Sequence, residues 1–321
     1  MREVVQLLRD GEFHSGESLG AVLGVSRAAV WKRLESLEAG LGLEVQRVRG
    51  RGYRLASPIS LLDAETISAA SRELGWSVKV FESLDSTNAE ALRRLAAGAQ
   101  APLLILSEGQ EGGRGRRGRS WVSPFAENLY YSLGLRLDGG LFALEGLSLT
   151  VGLAVMRCLQ EQGLADVGLK WPNDLLVAGR KIAGVLLELS GDPAGTCQVV
   201  IGIGVNVNML PRPEISIDQP WASLRGCLGH LICRTELTLS LGRWLSHYLD
   251  LHGRGGFAAL RDEWEAHHLW QGRYVSLLAG PQRIDGMVLG VDRQGALRLD
   301  VAGQVQQFNG GELSLRLRDD S

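Results

Sequence analysis

The sequence predicts an α+β protein of several domains: an N-terminal winged helix-turn-helix, a central mixed α/β domain and a small C-terminal β-barrel. Residues 1–57 have the pattern of three short helices followed by a β-hairpin. From Val78 onward, strand and helix patterns alternate. After Gln271, short strands are separated by turns that contain glycine, as in small barrels. We place the domains at residues 1–60, 61–270 and 271–321.

Composition predicts a folded protein of the cytoplasm. The 321 residues are 45% hydrophobic and 22% charged, so the core can be large enough to fold without disulfides. We see no signal peptide and no apolar run of roughly 18 residues, so we expect no membrane partner. The four cysteines form no CxxC pair, so free thiols are expected. The sequence identifies no metal ligands.

The N-terminal segment has the pattern of a winged helix. Its third helix begins after Ser26, a good capping residue. That helix carries one apolar stripe at helical spacing, formed by Val30, Leu34 and Leu37. Two strands, at residues 43–48 and 52–55, then enclose a tip that is rich in arginine. This order of elements predicts a helix-turn-helix with a basic wing.

The charge of this segment favours DNA as its partner. The chain has a net charge of −2, yet seven Lys or Arg and only three Glu lie between Ser26 and Arg54. A helix fits the major groove, and a basic hairpin can reach the flanking phosphates. The residues expected to contact DNA are Ser26, Arg27, Trp31, Lys32, Arg49 and Arg51. A small helical domain used for protein contacts is the alternative interpretation.

The central region alternates strands and helices. A helix from Leu61 to Leu74 follows a linker that begins at Pro58. We expect strands at residues 78–81, 103–107, 128–135, 175–177, 182–189 and 199–207. We expect further helices at 86–97, 144–159, 238–251 and 256–268. The C-terminal strands are expected at 274–278, 283–291, 297–300 and 305–308.

Residues 112–121 carry the most informative pattern in the chain. Four glycines and four arginines in ten residues do not form a stable helix or strand by themselves. Glycine allows the backbone to approach a ligand closely, and guanidinium groups suit phosphate and carboxylate. We therefore expect a loop that closes over a bound anion. An RNA-binding segment or a solvated loop could have the same composition.

A second polar segment covers residues 170–174 and is followed by a turn and a strand. Pro172 interrupts one strand, so Asn173 and Asp174 present polar groups at its edge. Lys181 begins the next, apolar strand, from which it could reach a carboxylate or a phosphoryl group. A lysine after a hairpin turn is more often a surface residue.

A third segment, residues 201–208, alternates glycine with apolar residues. Such spacing in a buried strand marks a place where another group approaches the backbone closely. Asn206 could read the edge of an adenine base. A tight crossing of two sheets is the competing interpretation.

Together these segments resemble biotin–protein ligases of the bifunctional ligase/repressor family. The motifs occur in the order and approximate spacing of that family: DSTN at 85–88, GRGRRGR at 113–119, KWPND at 170–174, GRKIAG at 179–184 and GIGVN at 202–206. Any one motif is weak, but five in order with both flanking domains make the resemblance specific. It covers the whole chain and implies a class II synthetase-like central fold and an SH3-like C-terminal barrel.

The resemblance also implies roles for individual residues. Biotin would be bound by Ser86, Thr87, Asn88, Gln110, Arg114, Gly115, Arg116 and Lys181. ATP and the adenylate would be contacted by Arg116, Arg119, Trp121, Asn173, Lys181, Asn206 and Arg316. Lys181, Arg116 and Asp174 would act in catalysis. Glu111 departs from the family pattern, because a neutral residue is expected beside the anion-binding loop.

The function implied by the resemblance is an ATP-dependent ligase that is also a repressor. Biotin would be activated with ATP and Mg²⁺ to biotinyl-5′-AMP and transferred to a lysine of a biotin carboxyl carrier protein. A homodimer formed with biotinyl-5′-AMP would bind operator DNA and repress biotin synthesis genes. The alternatives are a lipoate or octanoate ligase, a ligand-sensing transcription regulator without ligase activity, and a ligase that no longer binds DNA.

Overall fold

The N-terminal helices and hairpin form where the sequence predicts them. The computed structural model describes residues 2–137, 144–191, 197–213, 215–279, 282–310 and 313–317. The first elements are α1 (Arg2–Leu8), α2 (Gly16–Leu23), α3 (Arg27–Leu41), β1 (Val45–Val48) and β2 (Gly52–Leu55). Ser26 caps α3 by accepting a hydrogen bond from the backbone N–H of Ala29. The predicted stripe is confirmed, because Val30, Leu34 and Leu37 are fully buried.

The central domain is built on one mixed sheet of seven strands. The strands are β3 (Ser77–Leu84), β4 (Leu103–Gln110), β5 (Leu129–Leu137), β6 (Val167–Lys170), β7 (Asp174–Val177), β8 (Arg180–Gly191) and β9 (Cys197–Val205). Their order in the sheet is β3-β4-β5-β9-β8-β7-β6. Only the β3–β4 pair is parallel, and the other pairs are antiparallel. The described helices are α4 (Ala64–Glu73), α5 (Thr87–Ala96), α6 (Leu147–Glu161), α7 (Leu224–Leu228), α8 (Arg234–Gly255) and α9 (Arg261–Ala266).

Helices cover both faces of this sheet and define where a ligand can enter. The apolar side chains of α6 and α8 belong to the main core. On the other face, Ala91 and Leu95 of α5 pack with Ile105 and Val200 in a smaller cluster. Because side chains alternate along a strand, Gly202 and Gly204 of β9 share the face of Val200. That face carries a cavity that is lined by Gly202, Gly204 and the first turn of α5.

Two of the predicted helices differ from the structure. The helix expected at residues 238–251 is longer, because α8 runs from Arg234 to Gly255. The helix expected at residues 256–268 is a short 3₁₀ segment at 257–259 followed by α9, which ends at Ala266. Gly256 explains the break between α8 and the 3₁₀ segment, because it is the C-cap of α8 and has a φ of +62°, which glycine adopts easily.

The C-terminal region is a five-stranded antiparallel sheet. Its strands are β10 (Tyr274–Ala279), β11 (Gln282–Val291), β12 (Leu297–Val301), β13 (Gln304–Phe308) and β14 (Leu313–Leu317), in the order β13-β12-β11-β10-β14. The sequence predicts four of these strands and misses β14. Val275, Leu297 and Leu315 of this sheet are buried in the same core as the central domain. The two regions therefore stabilise each other.

The linker after the winged helix is held firmly rather than hanging free. Arg234, at the start of α8, is fully buried. Its Nε donates to the backbone oxygen of Ser60 at 2.7 Å, and its backbone N–H donates to Ser60 Oγ at 2.9 Å. Its guanidinium also pairs with buried Glu108, whose other oxygen accepts from the backbone N–H of Leu62 at 2.8 Å. Phe125 of the central domain packs into the core of the winged helix.

Membrane-spanning helices were sought in the part of the chain that the structure describes. None of its helices combines the length and the apolar character that crossing a bilayer requires.

Candidate functional site

The predicted ligand-binding residues meet around one cavity of about 400 Å³ on the α5 face of the sheet. Those that line it are Ser86, Thr87, Asn88, Gln110, Arg114, Gly115, Arg116, Arg119, Trp121, Asn173, Asp174, Lys181 and Asn206. This volume lies within the range of small-molecule sites. The cavity therefore brings together motifs that lie as far apart as residues 86 and 206.

Polar side chains at the start of α5 form a hydrogen-bonded floor. Thr87 donates from both its backbone N–H and its hydroxyl to Gln110 Oε1, at 2.8 and 3.1 Å. Ser132 Oγ lies 2.8 Å from Thr87 Oγ1 and 2.5 Å from Asn88 Oδ1. Ser86 caps the helix by accepting from the backbone N–H of Ala89. Donors and acceptors are thus placed in fixed directions, as recognition of a polar ring requires.

The alternating glycines of β9 are explained by two side chains that approach the strand. A Cβ on Gly202 would lie 2.3 Å from Asn88 Oδ1, and one on Gly204 would lie 2.5 Å from the indole of Trp121. The predicted close approach is confirmed. What approaches the strand is the amide of Asn88 from α5 and the indole of Trp121 from residues 112–121, which we call the Gly/Arg loop.

Lys181 and Asp174 form an ion pair at one side of the cavity. Lys181 Nζ lies 2.7 Å from Asp174 Oδ1, and Lys170 Nζ lies 4.0 Å from Asp174 Oδ2. The backbone of Lys181 is held by β7 and also by residues 220–222, which form hydrogen bonds of 2.9 Å with it on either side. All three charged side chains are less than one-fifth exposed. The lysine is thus fixed in position and shielded from solvent.

Cationic groups dominate the electrostatics of this side. Burial lowers the pKa of Lys170, and the positive charges of Lys181, Arg119 and Arg316 lower it further, against the opposing effect of Asp174. Burial also lowers the pKa of Arg116. The described lining of the cavity carries six cationic side chains and two carboxylates: Arg114, Arg116, Arg117, Arg119, Lys170 and Lys181 against Asp174 and Asp218. The site therefore has excess positive potential that a polyanion would neutralise.

Arg116, at the tip of the Gly/Arg loop, joins the cavity to the C-terminal sheet. It donates to Asn173 Oδ1 at 2.9 Å and to the backbone oxygens of Gly310 and Leu313. Asn173 in turn donates to the backbone oxygen of Val185 at 2.7 Å. The loop is thus closed over the cavity by contacts to two different regions.

Three residues singled out in the sequence have less direct positions. Asn206 lines the cavity, but its Nδ2 donates to the backbone oxygen of Ala222 at 3.0 Å. Arg316 is exposed and is not among the lining residues, although its charge reaches Lys170. Glu111 is also exposed and outside the lining, with Ser83 Oγ at 3.5 Å from it. Its negative charge therefore lies away from the cavity.

Sequence reasoning missed several residues of the site. They are Ser132, Lys170, Glu188 and the lining residues Ser216, Ile217, Asp218, Gln219, Trp221, Leu313, Ser314 and Leu315. Lys170 is the first residue of the KWPND motif, so its charge was a usable signal. Ser132 and Leu313 lie in strands, and the alternation of side chains along a strand does not predict which of them are near a ligand.

The basic surface lies on the winged helix, away from the cavity. Ser26 is occupied as the cap of α3, whereas Arg27, Trp31, Lys32, Arg49 and Arg51 are exposed. Arg51 lies over the ring of Phe13, with its Cζ 4.2 Å from the ring centroid. Arg47 is not free for phosphate, because it forms an ion pair with Glu38 of α3. That pair attaches the wing to the helix that would enter the major groove.

A helix-turn-helix joined to a cavity with a Gly/Arg loop and a Lys–Asp pair defines a class of protein, the DNA-binding ligases that activate a small carboxylic acid. Family comparison agrees with this class. Residues 80–206 match the biotin/lipoate A/B protein ligase family, residues 1–54 match a helix-turn-helix domain, and residues 272–316 match the biotin protein ligase C-terminal domain. The chain belongs to the bifunctional biotin–protein ligase/repressor family.

The relatives support this assignment along the whole chain. The bifunctional ligase/repressor BirA of Escherichia coli is 41% identical over 314 residues, which is 98% of this chain and 96% of that protein. BirA of Bacillus subtilis is 30% identical over 95% of this chain and 94% of that protein. The crystal structure of the Aquifex aeolicus biotin protein ligase with biotin and ATP matches with a TM-score of 0.66 and 29% identity, over 75% of this chain and 99% of that one. The central fold is thus that of a biotin ligase.

Proposed function

We propose that this protein activates biotin with ATP to biotinyl-5′-AMP, transfers biotin to a lysine of a biotin carboxyl carrier protein, and represses transcription of biotin synthesis genes. The observation that carries the proposal is the convergence of the Ser86–Asn88 turn, the Gly/Arg loop and the Lys181–Asp174 pair on one cavity. The first would bind the ureido ring, the second would cover the ligand, and the third would lie at the reacting groups.

In the first step a carboxylate oxygen of biotin attacks the α-phosphorus of ATP, and pyrophosphate leaves. Negative charge grows on the phosphoryl oxygens as the new bond forms, so fixed cations beside them lower the barrier. Lys181 and Arg116 are the groups we assign to this task. Lys170, Arg119 and Arg316 supply the positive potential that holds the triphosphate and the departing pyrophosphate. Trp121 would pack against the adenylate, and Asn173 and Asn206 would lie near adenine.

Magnesium is expected to enter with ATP. Among the described residues that line the cavity, Asp174 and Asp218 are the only carboxylates. One or two carboxylates together with substrate phosphates form a common Mg²⁺ donor set, so these residues fit the ion. When bound, Mg²⁺ would neutralise phosphate charge.

In the second step the amine of the acceptor lysine attacks the carbonyl carbon of biotinyl-5′-AMP, and AMP leaves. The amine must lose a proton, and Asp174 is the carboxylate placed to receive it once Lys181 turns to the phosphate. The loop of residues 112–121 excludes water from the mixed anhydride before the acceptor arrives. The contacts of Arg116 to residues 310 and 313 support this covering role.

Repression would need two copies of the chain, because a winged helix reads one half-site of a palindrome. We propose that the homodimer forms along β8 when biotinyl-5′-AMP is bound. Among the described strands, none pairs with the outer side of β8 beyond Gly184, which lies opposite the first residue of β7, and Asn173 bonds the backbone of Val185 next to it. Leu189 in that stretch is 52% exposed. A free strand edge next to the ligand-binding loop supports a sheet-to-sheet contact.

The organisation proposed for the chain follows the same reasoning. Residues 1–60 would bind operator DNA, residues 61–270 would catalyse with a class II synthetase-like fold, and residues 271–321 would close as an SH3-like barrel. We expect the protein in the cytoplasm, where its carrier protein and operator are found.

The experiment that tests this function is ATP–pyrophosphate exchange with biotin, lipoate or no acid added. We expect exchange only with biotin and a loss of about 100-fold or more in Lys181→Ala, because one stabilising charge is removed. Lys79→Ala, an exposed lysine on β3, is the matched control and should keep full activity. Exchange driven by lipoate would identify a different ligase. Biotin binding without exchange in the wild type would indicate a regulator without ligase activity.

A further inference from the structure

Glu188 is a partly buried carboxylate that contacts two of the proposed biotin-binding residues. It lies on β8 and is 24% exposed in its side chain. Its Oε2 accepts from Asn88 Nδ2 at 2.7 Å, and its Oε1 lies 3.1 Å from Arg114 Nη2. One carboxylate thus joins the floor of the cavity to the first arginine of the Gly/Arg loop.

We propose that Glu188 is a positioning residue that latches the Gly/Arg loop to the biotin-binding floor. This inference rests on the proposed function of the cavity. Glu188 touches no reacting atom itself, since it lines a second hollow of about 550 Å³ beneath residues 112–120 rather than the main cavity. It acts through Asn88 on one side and through Arg114 on the other.

The contact to Asn88 fixes which way its amide points. Asn88 Oδ1 lies 2.5 Å from Ser132 Oγ, and its Nδ2 lies 2.7 Å from the carboxylate. A carboxylate only accepts hydrogen bonds, so the amide nitrogen must face Glu188 and its oxygen must face Ser132. The amide lies directly against Gly202, where an added Cβ would be 2.3 Å from Asn88 Oδ1. Glu188 therefore completes the set of fixed donors and acceptors.

The contact to Arg114 holds the base of the loop. Residues 113–115 pair with residues 119–121, as shown by hydrogen bonds from Trp121 N to Gly113 O and from Gly115 N to Arg119 O, at 2.9 and 2.7 Å. Arg114 also forms a bridge with Ser120. Anchoring the Arg114 side chain on β8 thus orients the whole small hairpin, including Arg116 at its tip. Because Arg114 is 47% exposed, the ion pair is weak enough to open and admit ligand.

Two substitutions separate these contacts. Glu188→Gln keeps an oxygen that accepts from Asn88 but removes the charge that holds Arg114. Glu188→Ala removes both contacts. Glu73→Gln, an exposed carboxylate at the end of α4, is the matched control. The readouts are hydrogen–deuterium exchange of the loop in the ligand-free full-length protein, the KM for biotin, and the rate at which bound biotinyl-5′-AMP is lost without acceptor.

We expect Glu188→Gln to speed both loop exchange and adenylate loss about three- to tenfold, with little change in the biotin KM. Glu188→Ala should add a rise of about tenfold in the biotin KM, because the Asn88 amide is left unpaired. In the double variant Arg114→Ala/Glu188→Gln, hydrogen–deuterium exchange of the loop should be no faster than in the faster of the two single variants. Loop exchange equal to that of Glu73→Gln in both variants would overturn the latch. Hydrogen–deuterium exchange of the loop needs no catalysis. If the wild type shows no ATP–pyrophosphate exchange, the proposed function is rejected, but the test of the latch remains valid.

Discussion

His268 shows how one buried residue can link pH to stability. It is 5% exposed, stacks on Trp264 with ring centroids 4.6 Å apart, and pairs its backbone with Leu169 where the central and C-terminal regions meet. Burial lowers the pKa of His268 to about 4, although the Gln271 side chain favours the charged form. A neutral imidazole is thus enclosed where a charged one would be unfavourable.

The expected consequence is a loss of stability between about pH 6.5 and pH 4. The unfolded chain binds the proton more readily than the folded chain, so stability is present above the unfolded pKa and is lost as pH falls through this range. The contribution of His268 should fall by about 2 kcal/mol from pH 7 to pH 5. His268→Phe keeps the ring stack and should remove this part of the pH dependence. Urea unfolding of both proteins at pH 7 and pH 5 measures this difference. An equal change in the free energy of unfolding in the two proteins would contradict it.

At the scale of elements, β9 positions both ends of the ligand at once. Its two glycines allow Asn88 and Trp121 to lie against the same strand, two residues apart. Asn88 belongs to the proposed biotin end of the cavity, and Trp121 to the proposed adenylate end. Small changes in this strand should therefore affect one substrate more than the other.

We expect Gly202→Ala to raise the KM for biotin about tenfold and Gly204→Ala to raise the KM for ATP by a similar factor. Each added methyl group would lie within 2.6 Å of its neighbour, so the amide or the indole must move away. Steady-state pyrophosphate exchange with each substrate varied in turn measures both effects. The two variants are controls for each other, and an equal rise in both KM values in either variant would contradict this assignment.

The elements also show what the sequence could and could not predict. The apolar stripe of α3, the helix at residues 86–97 and the glycines of β9 are predicted from local patterns, and the structure has them, with the helix at Thr87–Ala96. Strand β14 was missed although Leu313, Leu315 and Leu317 alternate with polar residues, because five residues give only a short pattern. Glu188 and Ser132 were missed because their partners come from other elements.

At the scale of the whole molecule, one buried ion pair mounts the winged helix on the ligase. Arg234 and Glu108 lie 126 residues apart, and together they bind the backbone of Ser60 and Leu62. Thr235 continues this contact by accepting from the backbone N–H of Asp63 at 3.0 Å. Residues 58–60, expected to be a linker, and residues 61–63, expected to begin a helix that starts only at Ala64, are thus fixed by partners that no local pattern reveals.

We expect Arg234→Met alone to lower the free energy of unfolding by about 3–5 kcal/mol, because Glu108 is left buried and unpaired. Adding Glu108→Leu should recover most of this loss. The double variant keeps the backbone bond from residue 234 to Ser60 Oγ but lacks the side-chain bonds to the backbone of Ser60 and Leu62, so it should retain pyrophosphate exchange but bind palindromic operator DNA more weakly. Urea unfolding, exchange assays and fluorescence anisotropy on DNA selected by the wild type measure the three properties. Wild-type operator affinity in the double variant would contradict the mounting role.

The hydrogen bonds that join Arg234 and Glu108 to Ser60 and Leu62 also limit where this chain could be divided in the course of evolution. A gene that lost the winged helix but kept residues 58–63 would retain the linker bonds of Arg234, but Ile59, Leu61, Phe125 and Ala126 would need a new cover. A break after Leu62 would open a buried cation to water. The winged helix can therefore be gained or lost as a module only if residues 58–63 stay with the ligase, because their hydrogen bonds are made to it.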